Sequence, residues 1–198
     1  TESIDFTSNF HFKIINNLFA ENHVIHQKTI VLFEQLTGFL TQNKSRNYDY
    51  LYDQIVSYGE LLSTTIVSDY LNEIKIYNNW LDVREIIITD AVFRDATVNW
   101  QETEKRIKTK VDFSKLTIVQ GFIGGDLNGN TTTLGREGSD FTAGIFAYCL
   151  DAESLTVWKD VLGVLNADPR EFKEVQLLKH ISYEETIEMA FYGASVIH

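Results

Sequence analysis

Between Gly121 and Gly144 the chain reads GFIGGDLNGNTTTLGREGSDFTAG, and the architecture depends on how this segment is parsed. An apolar run, KLTIVQGFIG, leads into it, breaks at GGDLNGN, resumes as TTTL, and breaks again at GREG. Asn128-Gly129 readily takes the positive φ of a tight turn, so a hairpin is predicted here. SDFTAGIFAYCLDA then carries a helical pattern, with Ser139 or Asp140 placed to cap it. Six of the 11 glycines fall between Gly121 and Gly138, which concentrates backbone freedom in one place. A new helix exposes free N–H groups beside the positive end of its dipole, where an anion fits. Arg136 adds a fork of donors suited to a carboxylate or phosphate. A capped helix with a surface arginine explains the same spacing. The phosphate-binding patterns GxxxxGK and GxGxxG are absent.

Upstream, the pattern is helical to about Asn72. Phe10, Ile14, Ile15, Leu18 and Phe19 recur at helical spacing, as do Val31, Leu32, Leu36, Phe39 and Leu40. NYDYLYDQIVSYGELLSTTIVSDYL reads as two helical stretches meeting near Gly59, with Glu60 in the first turn of the second. A carboxylate there ordinarily compensates the helix dipole. From KIYNNW onward the period changes, and REIIITD, KLTIVQGFIG and SLTVWKD read as strands. Lys159 and Asp160 then stand at the C-terminal end of the third strand, where open α/β sheets bind ligands. SYEETIEMAFYGA predicts a closing helix. Alternating strands and helices predict an α/β fold, a three-layer αβα sandwich around a mainly parallel open sheet.

At 198 residues the chain is one domain in size, and 44% apolar with 13% aromatic residues is a folded composition. It carries 28 acidic and 17 basic residues, a net charge of -11. That balance argues against nucleic acid and anionic membrane as partners. Cys149, the single cysteine, lies in an apolar helix pattern and reads as a packed core thiol. No run is long and apolar enough for a membrane span, and a cytoplasmic protein is expected. His23 and His26 read as a solvated helix face, and no metal site is expected.

SYGELLSTTIVSDYL, REIIITDAVF, GFIGGDLNGNTTTLGREGSDFTAG, WKDVLGVLNADPR and SYEETIEMAFYGASVIH resemble, in this order, successive blocks of aspartate kinase, of the amino acid kinase family. The resemblance covers roughly Asn47 to His198 and implies ATP-dependent phosphorylation of the L-aspartate side chain, which opens lysine, threonine and methionine biosynthesis. It implies Mg²⁺ with the nucleotide, and a homo-oligomer. Glu60 is implied to hold the substrate ammonium and Arg136 a substrate carboxylate, with Gly138 and Ser139 lining the loop. Asp140 is implied to orient the amino acid beside the phosphate, with Arg136 and Asp140 as the catalytic pair. Lys159, Asp160, Leu165, Arg170, Ser195 and Val196 fall at nucleotide positions.

The chain also departs from the family. Arg136-Glu137-Gly138 replaces Arg-Gly-Gly, with Glu137 expected to point outward. Lys159 replaces a common threonine, Leu165 a tyrosine, and Ser195 a lysine. No Lys-Phe-Gly-Gly loop is found, so an interior fragment of a catalytic domain is expected, without regulatory domains, from an aspartate kinase or one fused to homoserine dehydrogenase. Residues 1–72 form its helical part and 73–198 its α/β part. Thr89, Asp90 and Phe93 fit either an approach to substrate or a turn. A kinase for glutamate and a non-catalytic binding module of the same fold are the rival readings.

Overall fold

The Asn47 side chain accepts from the Asp49 and Tyr50 N–H groups and starts a 26-residue helix, α3 (Tyr48–Glu73). This is a computed structural model, and it describes residues 2–193. Two helices precede α3, namely α1 (Glu2–Leu18) and α2 (Ile25–Gln42). After it come β1 (Asn78–Trp80), a 3-10 turn (Val83–Glu85), α4 (Trp100–Lys110), β2 (Leu116–Ile118), β3 (Ile123–Gly125), β4 (Thr131–Thr133), α5 (Gly138–Cys149) and α6 (Tyr183–Phe191). Among the described residues no helix is long and apolar enough to cross a membrane.

The α3 helix runs unbroken through Gly59, which corrects the expectation of two helices. A mid-helix glycine costs about 1 kcal/mol against alanine. Leu61, Leu62 and Ile66, buried on the same helix, outweigh that cost. Ile66 joins Ile15, Phe19 and Ile25 in a small cluster that holds α1 and α2. A Lys28–Asp69 ion pair at 2.7 Å ties α2 to α3.

The strand segments are short. β1 and β2 pair in parallel, Asn78 opposite Leu116 and Trp80 opposite Ile118. β3 and β4 form the predicted hairpin, Ile123 opposite Thr133 and Gly125 opposite Thr131. Its turn closes on Asp126, whose carboxylate accepts from the Asn128 and Asn130 N–H groups at 2.8 Å and from Asn130 Nδ2 at 2.7 Å. Gly129 there has φ +82°. REIIITD begins as the 3-10 turn, because Asp82 caps it and Arg84 folds back onto the same carboxylate at 2.6 Å. Only Ile88 and Thr89 of that segment form isolated β-bridges, Ile88 to Gly125 of β3 and Thr89 to Val98.

SLTVWKD forms no strand, which is a second correction. Its apolar alternation finds no strand partner among the described residues, and Trp158 stands 90% exposed. Beyond α5 the described pairing is a single bridge, Leu165 opposite Leu177. The main core gathers Leu61 of α3, Ile107 of α4, and Ile145 and Cys149 of α5 around Val83, Ile86, Ile87 and Ile123.

The hairpin is fastened to α3 by polar side chains. Buried Asp53 accepts from the Thr133 N–H at 2.9 Å, the Thr133 hydroxyl at 2.8 Å and the Arg94 N–H at 2.9 Å. Its neighbour Gln54 donates to the Thr131 carbonyl at 2.7 Å and accepts from the Thr131 N–H at 3.2 Å. Two helix side chains thus satisfy the edge of β4 that β3 leaves free, as a neighbouring strand would.

Asp53→Ala strands buried donors on β4 and the 94-loop, and should lower stability by about 3 kcal/mol. Asp53→Asn keeps one acceptor oxygen and should lose less. Urea unfolding of the two variants beside wild type checks the order; equal midpoints for all three would contradict it.

Candidate active site

The α5 N-terminus is built by close approach. A Cβ on Gly138 would lie 2.8 Å from Phe122 Cδ2 and 3.1 Å from Phe122 Cα. One on Gly121 would lie 2.9 Å from Ser139 Cβ. The Phe122 N–H donates to the Thr142 hydroxyl at 3.0 Å, and that hydroxyl donates to the Gly138 carbonyl at 2.9 Å. The start of α5 is therefore locked onto residues 121–122. The residue before it is Glu137, left-handed at φ 53° and without a side-chain capping bond. Ser139 and Asp140 accordingly sit inside the first turn rather than capping it. Among the described residues, the Gly138 and Ser139 N–H groups donate to no acceptor.

The loop and the downstream segment meet. Lys159 Nζ lies 2.8 Å from Asp140 Oδ2, a contact whose angle falls outside hydrogen-bond geometry. That oxygen therefore has a charge partner but no aligned donor. Lys159 also lies 3.4 Å from Glu137 Oε2. Glu137 is exposed, as expected of an outward side chain, and its carboxylate meets the Lys159 ammonium at the surface. Asp140, then Glu137, raises the Lys159 pKa above the ordinary lysine value. Arg136 is exposed, and no ion pair engages it among the described residues.

Glu60 sits mid-α3, not in a first turn, so dipole compensation does not explain it. Burial alone raises its carboxyl above the ordinary glutamate value. One turn on, the Thr64 hydroxyl donates to the Glu60 carbonyl at 2.8 Å and accepts from Gln120 Nε2 at 3.0 Å and Trp80 Nε1 at 3.1 Å. Gln120 is fully buried, and the next residue, Gly121, faces Ser139. The Glu60 turn and the start of α5 thus converge on Gln120-Gly121.

The other expected nucleotide residues are not drawn to the loop. Arg170 pairs with Asp168 at 2.7 Å, its side chain 86% exposed. That bond holds the Asp168 carboxyl at about 2. Asp160 is exposed and Leu165 half-buried. Ser195 and Val196 lie outside the described residues. Thr89 bonds the Thr132 hydroxyl at 2.7 Å, Asp90 accepts from the Val92 and Thr97 N–H groups, and Phe93 packs edge-on to Tyr50. These three build a turn. His23 is packed rather than solvated, stacked 4.6 Å from Phe19. A polar cavity of about 250 Å³ lined by Asp82, Arg84, Asp126 and Asn130 lies at the turn end of the hairpin, away from Arg136.

Sequence reasoning missed Phe122 and Thr142, the residues that seat the loop. A threonine four residues after a glycine at a helix start was the available signal.

Residues 9–198 match the amino acid kinase family. The chain belongs to that family. It is 34% identical to the lysine-sensitive aspartokinase 3 of Escherichia coli K12, across 100% of this chain and 44% of that protein. It is 35% identical to the chloroplastic aspartokinase 3 of Arabidopsis thaliana, across 100% of this chain and 36% of that one. The crystal structure of E. coli aspartokinase III in complex with aspartate and ADP (R-state) superposes with a TM-score of 0.90 at 34% identity, over 100% of this chain and 44% of that one. The α/β fold read from the sequence is therefore the family's. The chain spans less than half the length of these relatives.

Gly138→Ala should displace the α5 start from Phe122, costing roughly 1–3 kcal/mol by overpacking. Gly144→Ala, with nothing within 4 Å of the added Cβ, should stabilise α5. Melting curves of the pair test the sign, and a gain from Gly138→Ala would contradict the packing.

Proposed function

We propose that the chain is part of an aspartate kinase that transfers the γ-phosphoryl group of ATP to the side-chain carboxylate of L-aspartate. The observation that carries this reading is the convergence at the start of α5. There an unpaired arginine, two unbonded N–H groups, and a carboxylate held by a downstream lysine share one turn. The aspartate and ADP in the E. coli structure support it.

In this reading Arg136 grips a substrate carboxylate through two parallel bonds, and Glu60 holds the ammonium. The free Gly138 and Ser139 N–H groups fit an anionic oxygen at the positive end of α5. Asp140, half-neutralised by Lys159, orients the amino acid. Asp160, Leu165 and Arg170 face the nucleotide. The substrate carboxylate oxygen attacks the γ-phosphorus as the bond to the bridging oxygen breaks and ADP leaves, so no proton need move. Mg²⁺ on the nucleotide supplies charge neutralisation. A homo-oligomer belongs to the same reading, and α1 leaves Phe6 76% and Phe10 57% exposed as contact surface.

Arg136→Lys should lower kcat/KM for aspartate by roughly thirty-fold in the full-length protein, since lysine cannot reproduce a planar fork. The melting temperature should hold. Steady-state kinetics for both substrates checks this, and a loss confined to ATP would make Arg136 a phosphate ligand instead.

Glu60 adds a pH dependence. Only its ionised form holds an ammonium, and its pKa is raised by burial. Aspartate affinity should therefore fall as pH drops through that raised value, at higher pH than an ordinary glutamate would give. Glu60→Gln should remove this acid limb from the KM profile for aspartate. An unchanged limb would take the ammonium away from Glu60.

A further inference from the structure

Residues 153–193 make few polar contacts with the rest of the molecule. Their backbone bonds are internal, as in Asn166 to Gln176 and Leu178 to Val164. The Arg170–Asp168 pair and the Ser182–Glu185 capping box are internal too. Among the described residues, none beyond Cys149 is a buried member of the two cores. The polar side-chain links described from this segment to the body are the two from Lys159, to Asp140 and to Glu137.

We propose that Lys159 is a positioning residue that docks the 153–193 segment onto the start of α5, bridging Asp140 and Glu137. The proposal rests on the aspartate kinase reading in one respect: it makes Lys159 the joint between substrate loop and nucleotide segment. Geometry favours this role. The Asp140 side chain is 15% exposed and that of Lys159 27%, so the closer pair is partly shielded from water. Asp140 is fixed by α5, which is itself seated on Phe122, so the anchor is rigid on one side only. Glu137 adds a second carboxylate from a left-handed position. One ammonium against two carboxylates leaves the cluster net negative, which keeps Lys159 charged and leaves Arg136 as the loop's unpaired cation. Lys159 thus reaches the nucleotide indirectly, by fixing where Asp160 and Arg170 lie relative to the substrate.

The test is hydrogen exchange of the full-length protein with Lys159→Met, which keeps the stem and removes the charge. Exchange in residues 153–180 should quicken by about threefold or more, the scale expected for lost ion pairs, with α3, β3 and β4 unchanged. Lys159→Arg should restore protection, and Glu137→Gln should cause a smaller rise than Lys159→Met. In kinetics, Lys159→Met should raise KM for ATP more than it lowers kcat. Unchanged exchange in 153–180 would overturn the proposal, as would an equal rise through α3 and β4. A fall in kcat with KM for ATP intact would overturn it as well, placing Lys159 at the reacting atoms. Failure of the aspartate kinase reading would show separately, as wild-type protein that releases no ADP in response to aspartate, and the exchange result does not depend on it.

Discussion

Asp53 reaches from α3 to the free edge of β4, and its two oxygens take the Thr133 N–H, the Thr133 hydroxyl and the Arg94 N–H together. Burial works against this carboxylate and raises its pKa, while the bonds it accepts work the other way. An uncompensated carboxylate would be untenable there, so three donors must stay in place for the helix to sit where it does. The chain beyond β4 inherits that placement: Leu134 is buried, Gly135 turns, and the Arg136 loop emerges. The site is thus positioned by a helix that lies before it in sequence and beside it in space.

A chain with net charge -11 is an awkward host for anionic ligands. Long-range field repels them, and only local donors can overcome it. At the start of α5 the balance is set within a few ångströms. Lys159 is engaged by Asp140 and Glu137, so its charge is largely neutralised by neighbours. Arg136 and the unbonded N–H groups of Gly138 and Ser139 remain. A site of this kind discriminates by geometry more than by charge: one planar fork and two directed N–H groups suit a carboxylate or phosphoryl oxygen.

The hairpin was legible because Asn128-Gly129 has one common use, and α5 and α6 because their apolar spacing is uninterrupted. Gly59 misled because propensity is local while the burial of Leu61, Leu62 and Ile66 is not. SLTVWKD misled because alternation describes a strand only where another strand stands beside it. Arg136, Asp140 and Lys159 stood out as residue types, but their meeting did not: Lys159 comes 22 positions after Glu137, through a segment with no period to read. Two of the places where the chain departs from its family's pattern, Glu137 and Lys159, turn out to face each other. Nor did anything mark Asp53, an acid among the tyrosines of NYDYLYDQIV, as buried.

The two sides of the site differ in stiffness. At 26 residues, α3 is about 39 Å long and is braced along its length. Asp53 and Gln54 hold its first part to the hairpin, Thr64 its middle to Gln120, and Asp69 its end to Lys28. If Glu60 holds the substrate ammonium as proposed, the ligand bears on a helix braced at three points. Among the described residues, the segment carrying Lys159, Asp160 and Arg170 has no comparable bracing, and Trp158 and Leu162 beside Lys159 stand about nine-tenths exposed. In the proposed reading, this segment rather than α3 is the side with freedom to adjust to ligands. Ion pairs suit that joint better than a packed apolar contact, since they can be exchanged for the charges of an arriving ligand without opening a cavity.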